Sequence, residues 1–132
     1  MRTVRTDAAP APVAGAPYSQ AVAATPGEIV FVSGQVPVDP GTGALIEDDV
    51  RLQTALVLRH VAAVLRAAGA GLEDVVKTTV FLVDMADFGA MNEVYAHAFA
   101  GHAPARATVG VAALPLGARV EIEAVAVVPP RP

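Results

Sequence analysis

The chain has no cysteine, and among its 132 residues lysine occurs only once, at Lys77. Without cysteine there is no disulfide framework, no thiolate nucleophile and no thiolate metal ligand. An enzyme that forms a Schiff base through its own lysine would have to use Lys77. Because disulfides are rare in the cytoplasm, the missing cysteines also fit a cytoplasmic protein, and we expect that location.

Long hydrophobic runs are missing as well, although 54% of the residues are hydrophobic, 17% are charged and the mean hydropathy is +0.50. The best candidate for a membrane span, residues 55–70, is interrupted by Arg59, His60 and Arg66 and falls short of the roughly 20 apolar residues that a span needs. Residues 1–7 lack the apolar segment of a signal peptide. We therefore expect no membrane partner, and the surplus of apolar residues favours an oligomer.

Several motifs that would indicate a known chemistry are absent. His60, His97 and His102 form no metal-ligand spacing, Ser33 is not the centre of a GxSxG elbow, and residues 41–43 complete no phosphate-binding loop. We therefore expect the histidines at the surface or at the edge of the core, and no metal or other cofactor. The nine Lys and Arg residues are scattered and the net charge is −4, which disfavours a nucleic-acid partner.

The hydrophobic pattern predicts an α+β domain. Strands are predicted at residues 18–24, 29–33, 75–84, 106–113 and 119–128, and helices from Asp48 or Asp49 to Gly69 and from Asp84 or Asp87 to about Ala100. The predicted apolar stripes are Val50, Leu52, Leu56, Val57, Val61, Val64, Leu65 and Ala68 in the first helix, and Phe88, Met91, Val94, Tyr95, Ala98 and Phe99 in the second. This order fits two helices packed on one face of a mixed sheet of about six strands. The other, bare face would invite self-association.

The last strand carries two acidic residues on one face. Since side chains alternate along a strand, Val120 and Ile122 should point into the core, whereas Glu121 and Glu123 should point away from it. Either the glutamates lie at a solvated end of the strand, or one of them lies at the rim of an interface. In the second case partial burial would raise the pKa of the carboxyl group toward working pH and make it a general base.

Arg106 opens a strand that otherwise consists of small and apolar residues. A guanidinium group in such surroundings needs an anion or solvent. One interpretation, slightly favoured by the residues alone, is an internal ion pair with Glu121 or Glu123. The other is that Arg106 holds a ligand carboxylate through a bidentate fork, which lysine could not reproduce.

Several motifs, spread over residues 17–128, closely resemble the blocks of the reactive intermediate deaminase (Rid/YjgF) family. They are PYSQA at 17–21, VSGQVP at 32–37, DVVKTTVF at 74–81, MNEVY at 91–95, PARATV at 104–109, LP at 114–115 and VEIEA at 120–124. They occur in the order that the family shows, which makes a chance similarity improbable.

The resemblance implies a chorismate-mutase-like α+β fold for one domain over residues 1–132, and a homotrimer with sites between its subunits. It also implies an activity without cofactor: the hydrolysis of 2-imino and enamine acids to 2-oxo acids and ammonia. By motif position, Arg106 would bind the substrate carboxylate and Glu121 would handle water. The remaining site residues that the resemblance implies are Tyr18, Ser33, Gly34, Asn92 and Thr108.

The chain departs from the family pattern at two places. Thr108 stands where many members have cysteine, and Ala16 stands where glycine is usual, after a slightly extended Ala/Pro loop. The second departure affects the N-terminal wall of the cleft and therefore the size of the substrate. Other possible functions are hydrolysis of another nitrogenous substrate such as a carbamate, an amide or an aminomuconate-type compound, and binding of a carboxylate metabolite without turnover. RNA cleavage or a chaperone-like role is also claimed for relatives, and the acidic balance disfavours direct RNA cleavage.

Overall fold

The computed structural model describes residues 1–130, which form six strands and two α-helices. The strands are β1 (Arg2–Val4), β2 (Ala21–Ala23), β3 (Glu28–Gln35), β4 (Val75–Leu82), β5 (Ala105–Gly110) and β6 (Val120–Val128), and the helices are α1 (Val50–Ala67) and α2 (Phe88–Phe99). The predicted α+β composition is therefore confirmed. No helix within these residues is both long and apolar enough to span a membrane.

Four strands form a mixed sheet in the order β3-β6-β4-β5, and β1 and β2 form a separate antiparallel ribbon. β4 runs parallel to β5 and antiparallel to β6, which in turn runs antiparallel to β3. An isolated bridge between Ser19 and Ala105 links the segment before β2 to the start of β5. The N-terminal segment thereby lies against the edge of the sheet on which Arg106 lies.

Helix α1 begins where the sequence predicts, because the Asp49 carboxylate accepts the Leu52 N–H at 2.9 Å and so caps the helix. Gly69, at φ +78°, follows its last turn. The predicted stripe is wrong at Leu52 and Val64, which are 56% and 40% exposed. Residues on the opposite side of the helix from Leu52 take the buried positions instead, namely Gln53, Thr54 and Leu58 in addition to the predicted Val50, Val57, Val61 and Leu65.

Gln53 is buried because its amide joins two segments of the backbone. Its Nε2 donates to the Ile46 carbonyl at 3.0 Å, and its Oε1 accepts the Arg119 N–H at 2.9 Å. A buried amide is stable when its donors and acceptors are satisfied. This link fixes the loop before α1 against the start of β6, the strand that carries Glu121.

Both helices pack on one face of the sheet. The core-facing residues of β6 are buried as predicted, at Val120, Ile122, Ala124 and Ala126. On the open face Phe31 is 76% exposed and Ile29 is 56% exposed. The sheet therefore has one covered face and one bare face with exposed apolar side chains.

Strand β3 does not end at Gly34, as the sequence predicts, but continues to Gln35. Its pairing with β6 shifts in register between Val32 and Gln35. This irregularity contains Ser33 and Gly34, and the strand continues beyond it to Gln35. A bulge of this kind bends the strand locally and changes the direction of nearby side chains.

Candidate active site

The register of the sheet places the side chain of Arg106 on the helix face. Arg106 pairs with Thr78 of β4, which in turn pairs with Ala124 of β6. Residues paired across neighbouring strands point to the same face, and Thr78 is only 1% exposed beneath the helices. Because β5 is the edge strand, the Arg106 side chain emerges at the edge of the sheet, beside α2.

Three aromatic rings surround the Arg106 guanidinium. Its Cζ lies 4.8 Å from the centroid of Tyr95, 5.2 Å from that of Tyr18 and 5.7 Å from that of Phe88. Contacts of this length are attractive because the π face of a ring is negative. Burial lowers the pKa of Arg106, against the opposing influence of Tyr95 and Tyr18. The cation is thus partly desolvated and surrounded by rings rather than by acids.

Arg106 has no carboxylate partner among the residues that the structure describes. Within residues 1–130 the ion pair that forms is Arg51–Glu93, so an internal pair of Arg106 with Glu121 or Glu123 is wrong. The Nη1 of Arg106 lies 4.0 Å from the Met91 sulfur, whereas Nε and Nη2 are buried without a hydrogen-bond partner in this part of the chain. Buried donors of a charged group without a partner are costly, and a bound anion would satisfy them.

A cavity of about 530 Å³ adjoins these donors. It is lined by Val13, Tyr18, Met85, Phe88, Arg106, Ala107 and Thr108. Thr108 follows Arg106 by two residues on the same face of β5, and its buried Oγ1 also has no partner among the described residues. The cavity therefore offers a guanidinium and a hydroxyl to a small anion and apolar walls to the rest of a ligand.

Hydrogen bonds hold two of the three rings in place. The Tyr95 hydroxyl and the Thr78 Oγ1 lie 2.7 Å apart in the core, and the Tyr18 hydroxyl accepts the Val13 N–H at 2.9 Å. Burial raises the pKa of Tyr95 to about 12, although the Thr78 hydrogen bond and the Arg106 charge oppose the rise. Tyr95 is therefore neutral at ordinary pH and serves as a fixed wall beside the cation.

Glu121 lies on the other face of the sheet. It pairs with Phe81, three residues beyond Thr78 along β4, and side chains three apart on a strand point to opposite faces. The carboxylate lies on Gly34: a Cβ added to this glycine would overlap Glu121 Oε2 and lie 2.9 Å from Cδ. Gly34 therefore leaves room for the Glu121 carboxylate, and exposed Ser33 precedes it in the same irregular stretch.

The site residues predicted from the sequence thus fall into two groups within one chain. Arg106, Tyr18 and Thr108 line one cavity, and Glu121, Gly34 and Ser33 lie together on the other face. Asn92 does not line the cavity, although it follows Phe88 by one helical turn on the same side of α2. Its Oδ1 is buried without a partner within residues 1–130.

Sequence reasoning missed part of the Arg106 cavity. It assigned Phe88 and Tyr95 to the core of α2, and it gave no role to Val13 or Met85. The tyrosine hydroxyl within an apolar stripe is the signal that was available, because a buried hydroxyl needs a polar partner. Nothing in the local pattern indicated that the ring of Tyr95 also contacts a cation.

Two of the histidines bind backbone carbonyls at the edge of the core. His60 Nε2 lies 2.8 Å from the Val38 oxygen, and His102 Nε2 lies 2.7 Å from the Val75 oxygen. His97 is exposed. Over residues 1–130 no group of three or more His, Asp or Glu side chains is arranged to hold a metal ion.

Comparison with known proteins gives a consistent result. The model of the family described as endoribonuclease L-PSP matches residues 8–128. The 2-iminobutanoate/2-iminopropanoate deaminase of Mus musculus is 50% identical over 117 residues, which cover 89% of this chain and 85% of the mouse protein.

Two solved structures are also similar. A putative endoribonuclease from Thermotoga maritima has 47% identity and a TM-score of 0.75, with 98% of this chain and 99% of that chain covered. TdcF from E. coli, solved with bound serine, has 40% identity and a TM-score of 0.72, with coverages of 98% and 100%. The chain therefore belongs to the endoribonuclease L-PSP family, which confirms the resemblance of its motifs to the reactive intermediate deaminases.

Proposed function

We propose that the chain hydrolyses 2-imino and enamine acids to 2-oxo acids and ammonia, in sites formed between the subunits of a homotrimer. Arg106 holds the substrate carboxylate, and Glu121 handles the attacking water. Tyr18 and Thr108 bind the substrate on the Arg106 side, and Ser33 and Gly34 bind it on the Glu121 side. Asn92 shapes the site from α2.

The observation that carries this proposal is the state of Arg106. Its guanidinium is half-buried among three aromatic rings, has two buried donors without a partner in residues 1–130, and borders a cavity. A planar carboxylate matches the fork of N–H groups on a guanidinium. Breaking a partly desolvated charge pair of this kind costs about 2–5 kcal/mol, enough to make Arg106 decisive for binding.

The chemistry needs no nucleophilic side chain, because the imine carbon is already electrophilic. Water attacks this carbon while Glu121 accepts one of its protons, and a carbinolamine forms. This proton and then the hydroxyl proton of the carbinolamine pass through Glu121 to nitrogen, the C–N bond breaks, and ammonia leaves as the C=O bond of the 2-oxo acid forms. General acid–base catalysis of this type contributes about 10²–10⁴ in rate, which is sufficient for a reaction that is fast without a catalyst.

A subunit boundary is needed to bring the two groups together. Strands lie about 4.8 Å apart and rise about 3.3 Å per residue, so the Cα atoms of Arg106 and Glu121 are separated by roughly 14 Å across two strand spacings and three residues. Their side chains also point to opposite faces. A second copy that supplies Glu121 to the Arg106 cavity resolves both obstacles, and the exposed Phe31 and Ile29 provide an apolar surface for that contact.

The relatives support the same chemical class. The mouse relative is named for the deamination of 2-iminobutanoate and 2-iminopropanoate, and TdcF was solved with serine, which carries an α-carboxylate as these imino acids do. The Thermotoga maritima protein is named a putative endoribonuclease. For this chain the net charge of −4 and the unpaired Arg106 donors beside an otherwise uncharged cavity favour the imino acid. The cytoplasmic location stays a prediction.

The test is substitution of Arg106 by alanine and, separately, by lysine. A pyridoxal-phosphate dehydratase generates 2-iminobutanoate, and formation of the 2-oxo acid is followed with the wild type and each variant. We expect Arg106→Ala to abolish the acceleration and Arg106→Lys to restore little of it, because lysine lacks the fork. Arg59→Ala, an exposed position on α1, is the matched control and should retain full activity.

Two results would contradict the proposal. An unchanged rate in a folded Arg106→Ala protein would remove the assigned role of Arg106. Tight binding of 2-oxobutanoate by the wild type without any acceleration of imine hydrolysis would instead indicate a metabolite-binding module.

A further inference from the structure

The N-terminal loop supplies one wall of the Arg106 cavity through Val13. Around this residue the chain makes a tight turn, in which the Gly15 N–H donates to the Pro12 carbonyl at 3.3 Å and the Ala16 N–H donates to the Val13 carbonyl at 2.9 Å. Ala14 has φ +52°, in the left-handed region that residues other than glycine rarely adopt. Such a conformation persists only where surrounding contacts hold it, so the position of Val13 depends on the groups that fix the turn.

Tyr18 is one of those groups, and it also contacts Arg106. Its hydroxyl accepts the Val13 N–H at 2.9 Å, while its ring lies 5.2 Å from the guanidinium carbon. One side chain therefore connects the loop wall to the cation, and its two contacts use different atoms. Replacement by phenylalanine would remove the first contact and keep the second.

Gln20 anchors the same loop from its other end. Its Oε1 accepts the Thr6 N–H at 2.7 Å, and its Nε2 donates to backbone carbonyl oxygens at 2.8–3.1 Å. These oxygens belong to Thr6, Ala9 and Pro10. With Gln20 at one end and Tyr18 at the other, the loop is a fixed wall rather than a free segment.

We propose that the Tyr18 hydroxyl is a positioning group that fixes Val13 as the wall limiting the size of the substrate side chain. The inference rests on the proposed function. Once a carboxylate occupies Arg106, the substituent on the adjacent carbon extends into the rest of the cavity, whose larger apolar walls are Val13, Met85 and Phe88. No second charged side chain is among the described residues that line it. The cavity therefore takes an uncharged, apolar side chain, and Val13 limits its length.

The experiment compares two imines on each variant. An L-amino-acid oxidase generates the imine of 2-aminobutanoate or of leucine, and the ratio of the two kcat/KM values is measured with the wild type. Val13→Ala should shift this ratio about tenfold toward the leucine-derived imine, the range that one or two methyl groups contribute in a pocket. Val13→Leu should shift it in the opposite direction.

Tyr18→Phe should shift the ratio in the same direction as Val13→Ala, by about fivefold, the contribution of one hydrogen bond. Because both changes act on one wall, the double variant should shift the ratio no further than Val13→Ala alone. Leu52→Ala, an exposed position on α1 far from the cavity, is the control and should leave the ratio at the wild-type value. Circular dichroism checks that each variant is folded.

The possible failures are distinguishable. If the wild type hydrolyses neither imine, the proposed function fails and the role of Val13 fails with it. If the wild type is active but either single variant leaves the ratio within twofold of its value, or lowers both kcat/KM values equally, only the wall assignment is wrong. The dissociation constants of 2-oxobutanoate and 4-methyl-2-oxopentanoate, measured by calorimetry, should follow the same order as the kinetic ratios.

Discussion

Arg106 and Glu121 lie on opposite faces of one sheet, on strands separated by β4. Arg106 is in register with buried Thr78, and Glu121 is in register with Phe81, three residues farther along. No rotation of the two side chains can bring them to one small ligand inside a single chain. Each chain thus carries the Arg106 cavity on one surface and Glu121 on another, and the two groups belong to different copies of the proposed site.

This arrangement predicts complementation between two inactive variants. Arg106→Ala keeps the Glu121 surface, and Glu121→Ala keeps the Arg106 cavity, so a mixed oligomer contains some interfaces with both groups intact. If equal amounts are unfolded and refolded together, random assembly in a ring gives about one intact site in four. We expect roughly a quarter of wild-type deaminase activity to return, measured as 2-oxo acid formation.

The control for complementation is mixing without unfolding, which should recover little activity if subunits exchange slowly. Refolding either variant alone should recover none. Absence of activity in a co-refolded mixture that contains mixed oligomers, shown with a size tag on one variant, would place both groups in the same subunit's site.

The bare face of the sheet is where we expect the subunits of the proposed trimer to meet. Phe31 is 76% exposed and stands opposite Val125 on this face. Full burial of such a side chain contributes about 1.5–3 kcal/mol, and a buried glutamate in its place would be unpaired. We expect Phe31→Glu to shift the protein toward monomers at micromolar concentration, observed by sedimentation velocity. Leu52→Glu, equally apolar and exposed but on α1, should leave the sedimentation profile unchanged.

Gly34 predicts a loss of activity that leaves the fold intact. The Cβ of an alanine would overlap Glu121 Oε2, so the flexible end of the glutamate must move while the strand stays. We expect kcat to fall at least tenfold in Gly34→Ala, because Glu121 is displaced. KM should change little, because the substrate carboxylate is bound by Arg106 and not near Gly34. The matched control is Gly89→Ala in α2, where an added Cβ meets nothing within 4 Å. A fully active Gly34→Ala enzyme would contradict the role of Glu121.

Local sequence patterns were sufficient to predict much of the fold. The Asp49 cap, the stop at Gly69 and the alternation of β6 each depend on residues close together in the chain, and all three are found. Strand β1 was not predicted, because three residues, two of them polar or charged, carry no clear period. The exposure of Leu52 was missed because the predicted stripe covered too much of the helix circumference.

The candidate site was only partly predictable, for a different reason. Motif positions indicated Arg106 and Glu121, but the relation between their faces depends on how β4 pairs with β5 and β6, and pairing between distant segments is not encoded in local periodicity. The ring of Tyr95 was assigned to the core since its spacing on α2 is that of a core residue. It is indeed buried, and the same burial makes it a wall for the guanidinium.

Tyr95 predicts a loss of stability at alkaline pH. Burial raises its pKa from the ordinary 10.0 to about 12, so the folded state holds the phenol proton more tightly than the unfolded state does. The resulting stabilisation is complete below pH 10 and is lost as the pH rises from about 10 toward 12. Two pKa units correspond to at most about 2.7 kcal/mol.

Tyr95→Phe removes both the titrating group and the hydrogen bond to Thr78. We expect the variant to be about 1 kcal/mol less stable than the wild type at pH 8, since a buried hydroxyl loses its partner. The difference should shrink or reverse by pH 11.5, because the Tyr95 phenol then ionises in the unfolded wild type and stabilises that state, whereas phenylalanine does not titrate. Guanidinium unfolding at pH 8, 10 and 11.5, at one fixed protein concentration, measures the difference. Parallel stability curves for the two proteins would mean that Tyr95 titrates normally and that the wall beside Arg106 is open to water.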